Sequence, residues 1–187
     1  MTYTIEAINF PVFKKLYQEV LVHDFPRNEL RPLWMFRSLF RKNDYTVLVM
    51  EECGRILAYA CIIVDEVASL LDYFAVNKDL RGSGIGSVFL SELKHYLDCD
   101  GLIIESEQPD QAKNNKEKET RTKRVSFYEK NGALLSPYHW HAFGVDYHLL
   151  YLPLKQERKM PQLDIRIKRL YRKAMPKMAV RYFTSIR

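Results

Sequence analysis

Cysteine is scarce in this chain. Cys53, Cys61 and Cys99 are odd in number and show no paired spacing of the metal-binding kind. That argues against a disulfide framework and for a reduced, intracellular protein, so a cytoplasmic location is expected. Long apolar runs are missing as well. The longest, residues 58–64, is far too short to span a bilayer, and the N-terminus lacks a charged-then-apolar signal pattern. No internal repeat and no low-complexity tract is visible. Glycine is sparse too, seven in 187 residues, yet Gly82, Gly84 and Gly86 crowd into one short stretch.

What remains is ordinary for a globular chain: 47% apolar and 28% charged residues, with a length that suits about one domain. The glycine cluster is the informative part. Residues 71–76 read as an apolar strand, then come a polar turn, the glycines, and a helix whose apolar positions Ile85, Val88, Phe89, Leu93, Tyr96 and Leu97 recur at three- and four-residue spacing. A second strand follows over 102–107. Glycines at the start of a helix leave backbone N–H groups uncrowded where the helix dipole also favours negative charge, so a phosphate-bearing ligand is the first expectation. The plainer reading is a tight strand-to-helix turn, for which one glycine is usually enough. A Walker A loop is excluded, because Gly86 is followed by Ser87 with no lysine in reach. A dinucleotide fingerprint is excluded as well, because the run is Gly-x-Gly-x-Gly rather than Gly-x-Gly-x-x-Gly and lies deep in the chain.

The spacing Arg81-x-x-Gly84-x-Gly86 after an apolar strand resembles the acetyl-CoA-binding motif of the GNAT-type N-acetyltransferase superfamily. The resemblance continues in Phe127-Tyr128-Glu129-Lys130-Asn131-Gly132-Ala133, which is similar to the family's segment closing the cofactor site. In element order it covers roughly residues 2–152, and it is specific over 70–135. It implies an α+β (α/β three-layer) fold with a mixed central sheet of about six to seven strands and helices on both faces. It also implies an acetyl-CoA cosubstrate and an amine acceptor, either a small molecule or a peptide. The amides of Arg81, Gly82, Ser83, Gly84, Ile85, Gly86 and Ser87 would hold the pyrophosphate, and Phe74, Ala75 and Val76 would align the pantetheine arm. A backbone N–H among those three would polarise the thioester carbonyl.

Acyl transfer also needs a proton donor and a proton acceptor. Tyr128 matches the family's general-acid tyrosine, and an ordinary phenol pKa near 10 is close to that of a thiol leaving group. Glu105 matches a glutamate that some relatives use as general base. Glu107 shares its face by two-residue periodicity, and Asp72 is the third choice. For each carboxylate the plainer reading is a solvated or ion-paired group; for Tyr128 it is a core aromatic in a chain with 12 tyrosines. Pro109-Asp110 stands where relatives often carry a cofactor-contacting asparagine. By the same resemblance the acceptor site takes in Phe25, Trp34, Tyr138 and Trp140, besides Asp72. Aromatic side chains are also the usual core filler. His139-Trp140-His141 would put two histidines on one strand face, but no third ligand of matching spacing is visible, so no metal is expected.

Further elements are expected as a strand over 3–8, a helix striped by Phe13, Leu16, Tyr17, Val20 and Leu21, a loop over 23–29, and a helix over 33–40. A hairpin joins strands 45–50 and 56–64 through Cys53-Gly54. Residues 108–120 are polar and charged without an apolar anchor and read as a mobile loop before a helix over 121–130 and a strand over 145–152.

The domain is expected to span 1–154 and a basic extension 155–187. The extension holds 11 Lys/Arg against Glu157 and Asp164 (+9), while residues 1–154 carry 18 against 21 (−3). Leu163, Ile167, Leu170, Tyr171, Ala174 and Met175 form a helical stripe opposite Arg166, Lys168, Arg169, Arg172 and Lys173, up to Pro176. Such a helix docks on its own domain or on a second subunit in a homodimer; a membrane, RNA or an acidic partner is the other class. Two functions follow: an acetyl-CoA-dependent N-acetyltransferase, or a catalytically silent acyl-CoA-binding or nucleic-acid-binding module on the same fold.

Overall fold

The computed structural model describes residues 2–27, 29–155 and 160–186. Asn28 of the expected loop, and residues 156–159 and 187 of the expected extension, lie outside the described residues. By internal contacts the chain divides into two bodies, Met1–Val64 with Asp72–Glu92, and Asp65–Leu71 with Leu93–Arg187.

In the first body, β1 (Thr4–Ala7) pairs antiparallel with β2 (Tyr45–Glu52), and β2 with β3 (Arg55–Ile63). The joining turn places Cys53 and Gly54 at φ 49° and 80°, the left-handed pair that a tight hairpin turn requires. Helix α1 (Phe10–Leu16) is capped by Asn9, whose side chain accepts from the Val12 N–H at 3.2 Å. It continues as a π-helical stretch, Tyr17–Leu21, and one α-helical turn, α2 (Val22–Asp24). Phe13, Leu16 and Leu21 are buried as the stripe predicts, while Tyr17 and Val20 are half-buried. The wider π turn changes the angular step between residues and rotates these positions off the buried face. Phe13 meets Phe36 of α3 (Leu33–Arg41) and Tyr45 of β2 at ring distances of 5.0 and 6.2 Å, which fixes the aromatic core of this body.

The C-terminal part of β4 (Ala68–Val76) also belongs here, followed by a 3-10 turn and α4 (Ile85–Glu92). Ile85, Phe89 and Leu90 are buried. The helix is shorter than its apolar spacing predicts: Val88 is exposed, and past Glu92 the chain tightens into a 3-10 turn beyond which Tyr96 is exposed as well.

In the second body, Ala68–Leu71 of β4 pairs in parallel with β5 (Gly101–Glu107). β5 then pairs antiparallel with β7 (Val145–Pro153), β7 with β6 (Leu134–Ala142), and β6 with the short edge strand β8 (Thr184–Ile186). The strand order is β1-β2-β3-β4-β5-β7-β6-β8 in one mixed sheet. Eight strands exceed the expected count because the C-terminal residues return to the sheet edge.

The expected loop over 108–120 is overturned. After a 3-10 turn, Pro109–Gln111, helix α5 (Asn115–Lys130) begins six residues before the helix expected over 121–130. Its start is a reciprocal cap: the Asn114 side chain accepts from the Glu117 N–H at 2.9 Å, and the Glu117 carboxylate from the Lys113 N–H at 2.8 Å. Pairs Glu117–Arg121 and Glu119–Lys123, each four residues apart, support the exposed turns.

The basic stripe is helix α6 (Leu163–Ala174), with Leu163, Ile167, Leu170, Tyr171 and Ala174 buried. Asp65, itself buried, draws Arg166, Arg169 and Lys173 of this helix to 3.8, 3.0 and 3.9 Å. Pro176 ends one helix and caps the next, α7 (Lys177–Phe183), because proline is tolerated at a helix start and not within one. Among the described residues no helix is long and apolar enough to cross a membrane.

Gly101 opens β5 because the buried Tyr151 ring of β7 crosses directly over it. A Cβ there would meet Tyr151 Cζ at 2.5 Å. Gly101→Ala is therefore expected to destabilise the protein by about 1–3 kcal/mol, the usual range for overpacking, read as a lower midpoint in urea with unchanged slope.

Candidate active site

The glycine loop is tied down from both sides. At the end of β4 the Asn77 N–H donates to Leu57 O at 2.9 Å, and the Asn77 side chain donates to Ile56 O at 3.2 Å. The Asn77 Oδ1 also accepts from the Asp79 N–H at 3.2 Å, which sets the 3-10 turn (Lys78–Leu80) that leads into the loop. Ser83 folds back onto Leu80 O with its hydroxyl at 2.6 Å.

Gly82 and Gly84 have φ of 82° and 89°, and a Cβ built on either meets nothing within 4 Å. The loop is therefore left-handed at both glycines and open above them. The first α-helical bond of α4 runs from the Val88 N–H to Gly84 O at 3.1 Å. The N–H groups of Ile85, Gly86 and Ser87 precede that bond and have no acceptor within the helix. No acidic residue occupies the first turn. This donor set fits a diphosphate, which needs several convergent N–H groups and close backbone approach. Arg81 turns away from the loop's open side: its Nε donates to Val76 O at 3.2 Å, and its guanidinium lies 3.9 Å from Asp24. Of the strand end, Phe74 stacks on Phe89 of α4 at 5.8 Å, Ala75 is buried and Val76 half-buried.

Also in the first body, Asp72 is almost fully buried and paired with Arg31, and the Tyr45 hydroxyl donates to its other oxygen at 2.9 Å. The Arg31 N–H donates to the Tyr73 hydroxyl, which donates in turn to Glu29 O. Phe25 meets the Tyr73 ring edge-on at 4.9 Å, so Phe25 and Asp72 belong to one cluster that pins the segment after α2. Trp34 stands outside it, 65% exposed on α3. Asp24 accepts from the Tyr59 hydroxyl at 2.9 Å; burial first, and the Asp24 charge second, push the Tyr59 pKa well up.

In the second body, Glu105 and Glu107 meet different partners. Glu107 is held by Arg121 at 2.7 Å and by Arg124 at 3.2 Å, both from α5. Arg121 also takes Glu117 at 2.6 Å and Gln108 O at 2.9 Å. Two arginines thus meet Glu107, and one meets Asp72. Glu105 lies half-buried opposite Leu149 of β7 and accepts a hydrogen bond from the Tyr171 hydroxyl of α6 at 2.6 Å.

Tyr128 is buried near the end of α5, its ring edge-on to Phe127 at 5.2 Å. Burial pushes its pKa up to about 12, with Arg124 acting in the opposite direction. The near-balance with a thiol that an unperturbed phenol would give is therefore shifted, and this phenol is the weaker acid. Trp140, expected at an acceptor wall, is instead fully buried and packs edge-on against Tyr171 at 5.2 Å. Its neighbours on β6 face another way. Gln108 meets His139 at 2.7 Å and His141 meets Asp146 at 2.7 Å, around a cleft of about 220 Å³ that Gln111 also lines. His148 lies opposite His139, with its pKa lowered by burial and by that ring. Tyr138 is half-buried. Among the described residues no group of three or more His, Cys, Asp or Glu is placed to hold a metal ion.

Sequence reasoning missed three residues of these clusters. Arg31 and Tyr171 come from segments 41 and 66 positions away from the carboxylates that they meet, a distance at which no local pattern speaks. Arg121 was visible as the partner of Glu117 four residues before it.

The family model of the acetyltransferase (GNAT) domain matches residues 43–132. A comparison with curated proteins found no match. Among solved structures, a protein assigned to the GNAT acetyltransferase family from Bacteroides thetaiotaomicron shares 20% identity at a TM-score of 0.69, covering 90% of this chain and 94% of that one. The ribosomal-protein-S18-alanine N-acetyltransferase of Escherichia coli shares 19% at 0.55, over 86% of this chain and all of its own. The Arabidopsis thaliana NAA60, solved in complex with acetyl-CoA, shares 12% at 0.57, over 81% of this chain and 98% of its own. At these identities the likeness carries the fold. The GNAT domain model thus covers just under half of the chain, and the chain shares its fold with these acetyltransferases.

Proposed function

We propose that the protein transfers the acetyl group of acetyl-CoA to a primary amine by direct attack. The observation that carries this reading is the loop at the start of α4: two left-handed glycines, open space above them, and the uncommitted N–H groups of Ile85, Gly86 and Ser87. The amides over 81–87 hold the diphosphate, with Arg81 bracing the loop through Val76 O and Asp24 rather than reaching forward. The main chain at Phe74, Ala75 and Val76 aligns the pantetheine arm, and an N–H there polarises the thioester carbonyl.

When bound, acetyl-CoA supplies an activated thioester. The new C–N bond forms as the C–S bond breaks. Glu105 takes the proton of the attacking amine, and Tyr128 gives its proton to the departing thiolate. With its pKa up at about 12, Tyr128 stays protonated across neutral and mildly alkaline pH and is always loaded to donate. Proton transfer to the thiolate is then uphill, and the Arg124 charge, which favours the phenolate, offsets part of that cost. Acceptor contacts fall to Phe25 and Asp72, to the separate, exposed Trp34 and to Tyr138, and an acceptor panel of polyamines, aminoglycosides, amino acids and peptide N-termini reads out the acceptor's identity.

Acetyl-CoA at a hundredfold excess over its dissociation constant is expected to stabilise the wild type by about 2.7 kcal/mol, seen as a rise in Tm. Gly84→Glu places a carboxylate where the diphosphate sits and removes that rise; a wild-type Tm shift in this variant would sink the loop assignment. Tyr128→Phe is expected to lower kcat by roughly a hundredfold while leaving KM for acetyl-CoA near its wild-type value. Because the phenol titrates at about 12, the kcat profile up to pH 10 keeps the same shape in both proteins. Wild-type kcat in Tyr128→Phe would remove it from the mechanism.

A further inference from the structure

Helix α6 lies outside the matched domain, yet it delivers a side chain to the proposed base. The helix has one way to sit on the second body. Its apolar stripe, Leu163, Ile167, Leu170 and Ala174, is buried, and the buried Asp65 gathers Arg166, Arg169 and Lys173 from its other side. That seating leaves Tyr171 no freedom. Its ring is 4% exposed and wedged edge-on against the fully buried Trp140 of β6, and its hydroxyl donates to Glu105 Oε1 at 2.6 Å.

We propose that Tyr171 is a positioning residue for the base: its hydroxyl fixes the orientation of the Glu105 carboxylate and holds it ionised, so that α6 completes the active site of the domain it follows. This rests on the reading of Glu105 as general base. A phenol is suited to the task in a way that a second cation is not. A donor to the ionised form favours that form, but a neutral donor does so without the full charge that ties up Glu107. Glu107 faces Arg121 and Arg124 of α5 at 2.7 and 3.2 Å, whereas Glu105 meets Tyr171 of α6, with Trp140 of β6 behind that ring, and lies opposite Leu149 of β7. Glu107 itself, two residues along the same strand, is the nearest like charge on β5, and its two arginines offset it. With Oε1 held by Tyr171, the carboxylate is oriented to take the proton of the acceptor amine, directly or through a water.

The test compares wild type, Tyr171→Phe, Glu105→Gln and the double variant in the full chain. Tyr171→Phe keeps the ring against Trp140 and removes only the hydroxyl, so its Tm stays close to that of the wild type; Trp140→Phe serves as a packing control with the hydroxyl kept. The first readout needs no acceptor: carboxyl carbon NMR of glutamate-labelled protein follows the Glu105 titration. In Tyr171→Phe its midpoint moves to higher pH, and in Trp140→Phe it stays nearer the wild-type value. The second readout is steady-state kinetics with an amine that the wild type acetylates. Tyr171→Phe lowers kcat roughly tenfold with KM for acetyl-CoA unchanged, and adds nothing in the Glu105→Gln background. An unmoved Glu105 midpoint overturns the role of Tyr171 while leaving the base reading intact. A moved midpoint with full activity in Glu105→Gln overturns the base reading, and the positioning role with it.

Discussion

A carboxylate taken out of water must find a partner, and that requirement organises both bodies of this protein. Asp72 on β4 is met by Arg31 and Tyr45, Asp24 by Tyr59 and Arg81, Asp65 by three cations of α6, Glu107 by two arginines of α5, and Glu105 by Tyr171. Each pairing joins elements that are distant in the chain. Apolar packing alone would let a helix slide along a sheet or turn about its axis by a few residues; a buried acid at a fixed strand position removes that freedom. The segment after α2 is held by Asp72, α5 by Glu107, and α6 by Asp65.

The same pairings sort the acids by chemistry. Removing one partner from a buried ion pair costs about 3–5 kcal/mol in general, so the ion pairs of Asp72 and Glu107 hold their elements in place. A carboxylate that receives a phenolic hydrogen bond stands in a different position. A neutral donor sets its orientation, and that donor is a polar neighbour able to follow a change of charge. The distinction between Glu105 and Glu107 is therefore one of partner type rather than of position, since both lie on one strand with the same burial class.

The glycine loop was legible because everything it does is local. Left-handed backbone at Gly82 and Gly84, the first helical bond at Val88, and the strand before it all follow from residues within about ten positions. The stripe of α6 was legible for the same reason, although it put Tyr171 among the apolar residues and did not reveal where its hydroxyl would go. The start of α5 was lost by reading composition instead of chemistry: a polar, charged segment looks unstructured until Asn114 and Glu117 are seen as a reciprocal cap followed by pairs four residues apart. The π-helical stretch in the first helix and the edge strand β8 have no such local mark. One is a small shift in hydrogen-bond step, and the other is three residues whose pairing exists only once β6 is in place.

A C-terminal helix that both seals a sheet and touches the proposed base changes how the basic extension is understood. Its charge of +9 left an outside anion as the second choice beside docking on its own domain, and Arg166, Arg169 and Lys173 are directed at Asp65 inside the protein's own fold. The charges that hold α6 down also hold Tyr171 against Glu105, so on the proposed reading the seating of the helix and the orientation of Glu105 go together. Loosening α6 at Asp65, with every residue of the glycine loop and of α5 untouched, would release the phenol from the carboxylate. On that reading a helix outside the matched domain acts on the chemistry that the proposed acetyl-CoA loop serves.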